Sequence, residues 1–109
     1  MTLCELLEKT NLEAIHLADE TRTVCGAYAG DLLSWVIGRA QADNAFLTIM
    51  TNVNVVAVAS LADLSCVIFC ENVPVDESII AAAKEKGINL LRSPAPTFET
   101  ALSLSFLSE

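Results

Sequence analysis

The sequence predicts a three-layer α/β fold, a mostly parallel sheet with helices on both faces. Three observations carry that prediction. From residue 31 onward, apolar runs of strand length alternate with helical patterns, as strand–helix–strand crossovers require. Two of those runs, residues 45–50 and 65–70, are apolar almost throughout, which suits central strands covered on both faces. The connections are short and carry cap and turn residues.

The elements follow in order. Thr2 and Glu5 form a capping-box pattern that opens a helix over 2–9, with Leu3, Leu6 and Leu7 on one side. Residues 12–17 read as a strand, 18–23 as a polar loop and 24–29 as a second short strand. These two strands are expected at one edge of the sheet or as a hairpin-like extension. Gly30 and Asp31 mark the next boundary, with Asp31 as N-cap of a helix through Arg39. Leu32, Leu33, Trp35 and Val36 give that helix a broad apolar face. Strand 45–50 follows, and Thr51 or Asn52 caps a helix to Leu61. Strand 65–70 leads through a proline-containing loop to Asp76, the cap of a helix through Lys86, which Gly87 closes. Residues 88–91 form the last strand, and Ser93-Pro94-Ala95-Pro96 leads into a final helix over 97–106. Right-handed crossovers are expected throughout. No repeat, low-complexity tract or linker divides the chain, so residues 1–109 read as a single domain.

Composition sets a second expectation. Apolar residues make up 53% of the chain and charged residues 18%, against about 45–50% and about 25% in ordinary soluble domains. The mean hydropathy is +0.51. A domain of this length buries roughly 65% of its unfolded surface, so the surplus calls for a membrane or a subunit interface. The uncharged stretch 44–62 contains Asn44, Thr48, Thr51, Asn52, Asn54 and Ser60, and Asp43 and Asp63 flank it. A membrane helix favours basic anchors instead, so a strand followed by a buried helix is expected. With no signal-peptide pattern at the start, the chain is expected in the cytoplasm. Its net charge is −8 and its six cations form no basic stripe, which argues against nucleic acid as a partner.

The interface expectation falls on helix 53–61. Val53, Val55, Val56, Ala57, Val58, Ala59 and Leu61 cover nearly its whole circumference, and a helix apolar all round is buried on all sides. The sheet covers one side. A second copy is expected on the other, making Val55, Val56, Val58 and Ala59 candidate residues of a homodimer interface.

Catalytic signatures are missing from the sequence. It contains no G-x-x-x-x-G-K-[ST], G-x-G-x-x-G or G-x-S-x-G pattern. His16 is the sole histidine, and no His/Cys/Asp set has metal-ligand spacing. Cys66 and Cys70 lie on one strand roughly 13 Å apart, too far to chelate one metal. Cys4, Cys25, Cys66 and Cys70 read as reduced, small buried hydrophobes. Asp31 and Asp63 are better explained as caps than as an acid/base pair. No cofactor and no metal are expected, and no enzyme activity. The alternative is a small-molecule-modifying enzyme with Cys25 as nucleophile, which requires His16 to approach it in space.

One ligand-type feature remains. Ligands of open α/β sheets collect at the carboxyl ends of strands, where helix N-termini present free N–H groups. Strand 45–50 ends there in Thr51-Asn52-Val53-Asn54, and Thr97 follows the last strand. Asn52 also has an ordinary capping role, and Asn54 interrupts an apolar helix. If Arg22 and Gly26 converge on the same edge, Arg22, Gly26, Thr51, Asn52, Asn54 and Thr97 make a cationic pocket for a small anion, a nucleotide phosphate or a carboxylate.

Four segments carry a family resemblance: Arg22-Thr23-Val24-Cys25-Gly26, Gly30-Asp31-Leu32-Leu33-Ser34, the run from Thr51 to Ser60, and Thr97-Phe98-Glu99. With them the sequence resembles the DRTGG domain family, which is similar to the N-terminal domain of HPr kinase/phosphorylase. The block Asn54-Val55-Val56-Ala57-Val58-Ala59 is the most specific part. The resemblance implies an α/β regulatory module, prone to self-association and often fused to CBS domains or to enzymes such as phosphotransacetylases. It implies no kinase activity, because that chemistry belongs to a separate P-loop domain. Where relatives have a glycine pair after the fourth strand, this chain has Cys70-Glu71-Asn72, and an acidic residue there opposes a phosphate. The expectation is a non-catalytic homodimeric module that senses a small anionic ligand, such as a nucleotide, or docks a partner enzyme.

Overall fold

Three consecutive crossovers, all advancing across the sheet in one direction, set the architecture. The computed structural model describes residues 1–108. The elements are α1 (Leu3–Lys9), β1 (Glu13–His16), β2 (Ala27–Ala29), α2 (Leu33–Arg39), β3 (Ala45–Thr48), α3 (Val53–Leu61), β4 (Cys66–Phe69), α4 (Glu77–Lys86), β5 (Asn89–Arg92) and α5 (Thr97–Ser103), then a 3-10 turn at Ser105–Ser108. The sheet order is β1-β5-β4-β3-β2. Strands β2 to β5 run parallel, and β1 pairs antiparallel with β5.

Right-handed crossovers that all step the same way place their helices on one face. Val36 of α2, Val55, Val56, Val58 and Ala59 of α3, and Ile79 and Ala83 of α4 accordingly share a core with Phe46, Val67, Phe69 and Leu90 of the sheet. The alternate strand residues, Ala45, Leu47, Cys66, Ile68 and Leu91, face the other way, as the two-residue period of a strand dictates. Leu3 and Leu6 of α1 and Leu104 beyond α5 cover them. The expected three layers are present, with the third built from the two ends of the described chain.

Local chemistry explains most boundaries. Thr2 and Glu5 form the reciprocal capping box. The Asp76 carboxylate accepts from the N–H groups of Ser78 and Ile79. Gly87 closes α4 at φ 71°, a conformation glycine adopts without the Cβ penalty.

Several expectations need correction. The two N-terminal strands do not share an edge: β1 and β2 occupy opposite ones. The second strand is three residues long, Ala27–Ala29, and Val24 is buried ahead of it, outside the strand. Asp31 does not cap α2. The N-cap position is Leu32, without a side-chain cap, and Asp31 instead accepts from Thr48 Oγ1 at 2.7 Å and Ile49 N–H at 2.9 Å. Asp63 is a cap, but at the C-terminal end of a helix. It takes the left-handed position after α3, at φ 56°, where Leu64 N–H returns to Ala59 C=O in a Schellman closure.

The candidate interface residues are also corrected. Val55, Val56, Val58 and Ala59 are at most 5% exposed, inside the core of this one chain. They pack against the sheet and against α2 and α4, so flanking helices cover most of what was read as an outer face. What α3 exposes is Val53, Asn54, Ala57, Ser60 and Leu61. Among the described residues no helix is long and apolar enough to cross a membrane.

Candidate functional site

The carboxyl edge of the parallel strands carries β2's exit at Gly30-Asp31, β3's at Ile49-Met50-Thr51-Asn52, β4's at Cys70-Glu71-Asn72 and β5's at Ser93-Pro94-Ala95-Pro96. Thr51, Asn52, Asn54 and Thr97 lie along this edge, because β3 and β5 both run parallel to β4. Asn52 accepts from Asn54 N–H at 2.9 Å, the capping role its type favours. Asn54 is exposed on the first turn of α3. Thr97 is the first residue of α5, whose N-cap position is Pro96. Arg92, at the end of β5, is the cation of this edge: it ties Glu13 at 2.8 Å and donates to Val73 C=O.

Arg22 and Gly26 lie at the opposite edge, so the predicted convergence fails. The Arg22 guanidinium donates to the Asp43 carboxylate at 3.0 and 3.1 Å and to the Asp63 carboxylate at 3.0 Å. Asp43 precedes β3 and Asp63 precedes β4. Four residues of strand, roughly 13 Å, separate this amino edge from Thr51. Burial works against the Arg22 charge, but hydrogen bonds to Asp43 and Asp63 outweigh it and hold its pKa above the ordinary value. A guanidinium so partnered is a clasp between the turns that enter β3 and β4. Gly26 sits at φ 73°, and a Cβ there would meet Asn44 Nδ2 at 3.0 Å. Its backbone conformation and the Asn44 amide account for the glycine.

Asn89 completes the clasp, and composition gave no hint of it. It is 2% exposed. Its Oδ1 accepts from Ala18 and Asp19 N–H, and its Nδ2 donates to the Asp19 and Ser65 carbonyls. The signal was an amide standing within a run of strand residues that is otherwise apolar.

The loops leaving β4 and β5 depart to opposite faces of the sheet, toward α4 and α5 respectively. A crevice is expected where neighbouring connections part in this way. Here it is closed by backbone bonds: Glu71 N–H donates to Ala95 C=O and Asn72 N–H to Ser93 C=O, both 2.9 Å. Glu71 and Asn72 stand at φ 64° and 53°. That left-handed pair is what a glycine pair at this site accommodates freely.

An apolar cleft of about 320 Å³ opens instead at the end of β2. It is lined by Tyr28, Ala29, Gly30, Asp31, Leu32 and Trp35. Trp35 and Leu32 are 52% and 60% exposed, and the Arg39 guanidinium lies over the Trp35 ring at 3.7 Å.

The proposed nucleophile fails on topology. His16 is on β1 and Cys25 enters β2, so four strand spacings separate them, roughly 19 Å. Cys25 is exposed, whereas Cys66 and Cys70 are buried as expected. Among the described residues no group of three or more His, Cys, Asp or Glu is placed to hold a metal ion.

These features define a three-layer α/β module whose polar side chains fasten its own turns and whose open end is an apolar, aromatic cleft. The sequence pattern of the DRTGG domain matches residues 31–106, more than half of the chain, and the chain belongs to that family. The fold is similar to the crystal structure of the CBS and DRTGG domains of the regulatory region of Clostridium perfringens pyrophosphatase, complexed with its activator diadenosine tetraphosphate. The TM-score is 0.77 at 15% identity, covering 94% of this chain and 45% of that one. This chain thus spans less than half the length of that relative. A search of the curated proteins returns no match.

Proposed function

We propose that this chain is a non-catalytic regulatory module of the cytoplasm that associates with a second copy and responds to a small anionic ligand. The observation that carries the reading is the distribution of its side chains. Arg22, Asp31, Asp43, Asp63 and Asn89 fasten the module to itself, while Leu32, Trp35, Phe98 and Leu102 stand in solvent. Large exposed apolar groups on a small domain mark association or ligand surfaces. The similar fold within the regulatory region of an activator-bound pyrophosphatase supports a regulatory role and a nucleotide-type ligand. Thr51, Asn52, Asn54 and Thr97 at the carboxyl edge are its candidate contacts, with Arg92, which an anion would have to draw from Glu13, in place of Arg22 as the cation.

Sedimentation equilibrium at about micromolar concentration and above tests the association, and a thermal-shift screen against adenine nucleotides, diadenosine tetraphosphate and inorganic phosphate tests the ligand. A mass twice 11.6 kDa and a melting shift that Arg92→Ala abolishes while Arg22→Ala preserves it are the expected results. A monomer that no anion stabilises would overturn the reading. Docking of a partner enzyme is the second reading, favoured by the exposed Phe98 and Leu102 on α5.

A further inference from the structure

The two edges of the sheet are built differently. At the β1 edge the pairing with β5 slips between Ala14 and His16, and an irregularity of that kind turns an edge away from further pairing. Glu13 and Arg92 add an ion pair there. The β2 edge has no such device among the described residues. Ala45 N–H donates to Gly26 C=O and Gly30 N–H to Leu47 C=O. With Tyr28 in parallel register opposite Phe46, the backbone groups of β2 that face β3 are those of Gly26, Tyr28 and Gly30. The N–H and C=O of Ala27 and Ala29 therefore point outward, and among the described residues they have no hydrogen-bond partner.

Charge and hydropathy single out the same edge. On a chain of net charge −8, residues 23–42 carry Asp31 and Arg39 alone and sum to zero. Among the described residues nine large apolar side chains are exposed, and five of them, Leu32 at the N-cap of α2, Trp35 and Ile37 on α2, and Phe98 and Leu102 on α5, belong to these two helices and their entry. Helix α2 lines the cleft with β2 on one face, and α5 contacts β2 on the other.

We propose that a second copy of this chain adds to the β2 edge in antiparallel pairing, joining two five-stranded sheets into one of ten strands. The inference rests on the reading that the chain self-associates, and it names the surface. The outward groups are disposed symmetrically about Tyr28. A twofold axis there sets Ala27 against the partner's Ala29, and the reverse, so that each outward N–H and C=O finds its complement. A neutral strip is also where two copies of net charge −8 meet with least repulsion. That is the reason to assign the edge to a second copy and not to a charged peptide. Three residues of strand fix the register, and the exposed apolar side chains of α2 and α5 are the surface that would be buried beside it.

Two variants test the surface. Proline is tolerated on an edge strand where the N–H faces solvent, so Ala29→Pro removes an outward donor and leaves the β2–β3 ladder intact. Sedimentation should show the wild type at twice 11.6 kDa and the Ala29→Pro dimer weakened about thirtyfold or more, for the two donors lost per dimer. Tyr28→Cys in a Cys25→Ser background should form a disulfide-linked dimer on mild oxidation. Directly opposed residues between hydrogen-bonded pairs have Cα atoms about 4.5 Å apart, within disulfide range. If Ala29→Pro loses its circular-dichroism signal, the crosslink alone decides. A wild-type dimer that neither weakens nor crosslinks overturns this surface and leaves self-association standing. A wild-type monomer overturns both.

Discussion

Asn89 holds the loop before Thr21 with one side chain: two accepted and two donated hydrogen bonds, at 2.8 to 3.1 Å, from a nearly inaccessible position. Substituting Asn89→Ala leaves the Ala18 and Asp19 amides and the Ser65 carbonyl without their partner. The Ser65 carbonyl is buried, and orphaning it costs about 1–3 kcal/mol, whereas the Ala18 and Asp19 amides sit on exposed residues that water reaches. Urea denaturation should therefore show a loss of about 1–3 kcal/mol with an unchanged slope. A loss under about 1 kcal/mol would mean that water replaces the amide. The buried thiols give a second residue-scale expectation. Burial pushes Cys66 up from 9.0 to about 12 and raises Cys70 as well. A folded pKa above the unfolded one contributes stability that is complete below the unfolded value and is lost as pH rises. Stability should therefore fall between about pH 9 and 12, and Cys66→Ala/Cys70→Ala should flatten that alkaline limb. At pH 8 a thiol reagent should label the exposed Cys25 and spare both buried thiols until the chain unfolds.

At the scale of the element, α3 is the informative case. Its sequence is apolar around the whole circumference, and burial on several sides follows from that. Which neighbours do the burying does not follow, because α2 and α4 flank α3 only once the crossovers have all stepped the same way. Val58→Asp should therefore unfold the chain, not yield a folded monomer, since it places an unpaired carboxylate in the core that α3 shares with the sheet at a cost of several kcal/mol. Loss of the far-ultraviolet helical signal checks this, and a folded Val58→Asp monomer would contradict it. The same limit governs the other features of the fold. Strands, helices and caps within a few residues were legible, as at Thr2, Asn52, Asp76 and Gly87, because a cap acts over one turn. The place of Arg22 is not legible in the sequence, because its partners Asp43 and Asp63 lie 21 and 41 residues away. Asp31 stands where a cap is expected, but its hydroxyl partner, Thr48, lies on the neighbouring strand. The alternation of strands and helices is a local pattern, whereas the edge to which β1 and β2 each belong is decided by pairings with β5 and β3.

For the whole molecule, the third layer is made from the first helix and the last, and this bears on the order of synthesis. As the chain emerges, β2 through β5 and their three helices become available in sequence, each crossover closing on the strand before it. The opposite face of the sheet, Ala45, Leu47, Cys66, Ile68 and Leu91, has only α1 against it until α5 and Leu104 arrive. β1 must also wait, because its partner β5 follows all the other strands of the described sheet. A nascent chain stalled after Arg92 thus presents a nearly finished sheet with one apolar face half bare, the kind of surface that chaperones hold and that aggregates form upon. Residues 97–108 act less as an appendage than as the lid that covers this face.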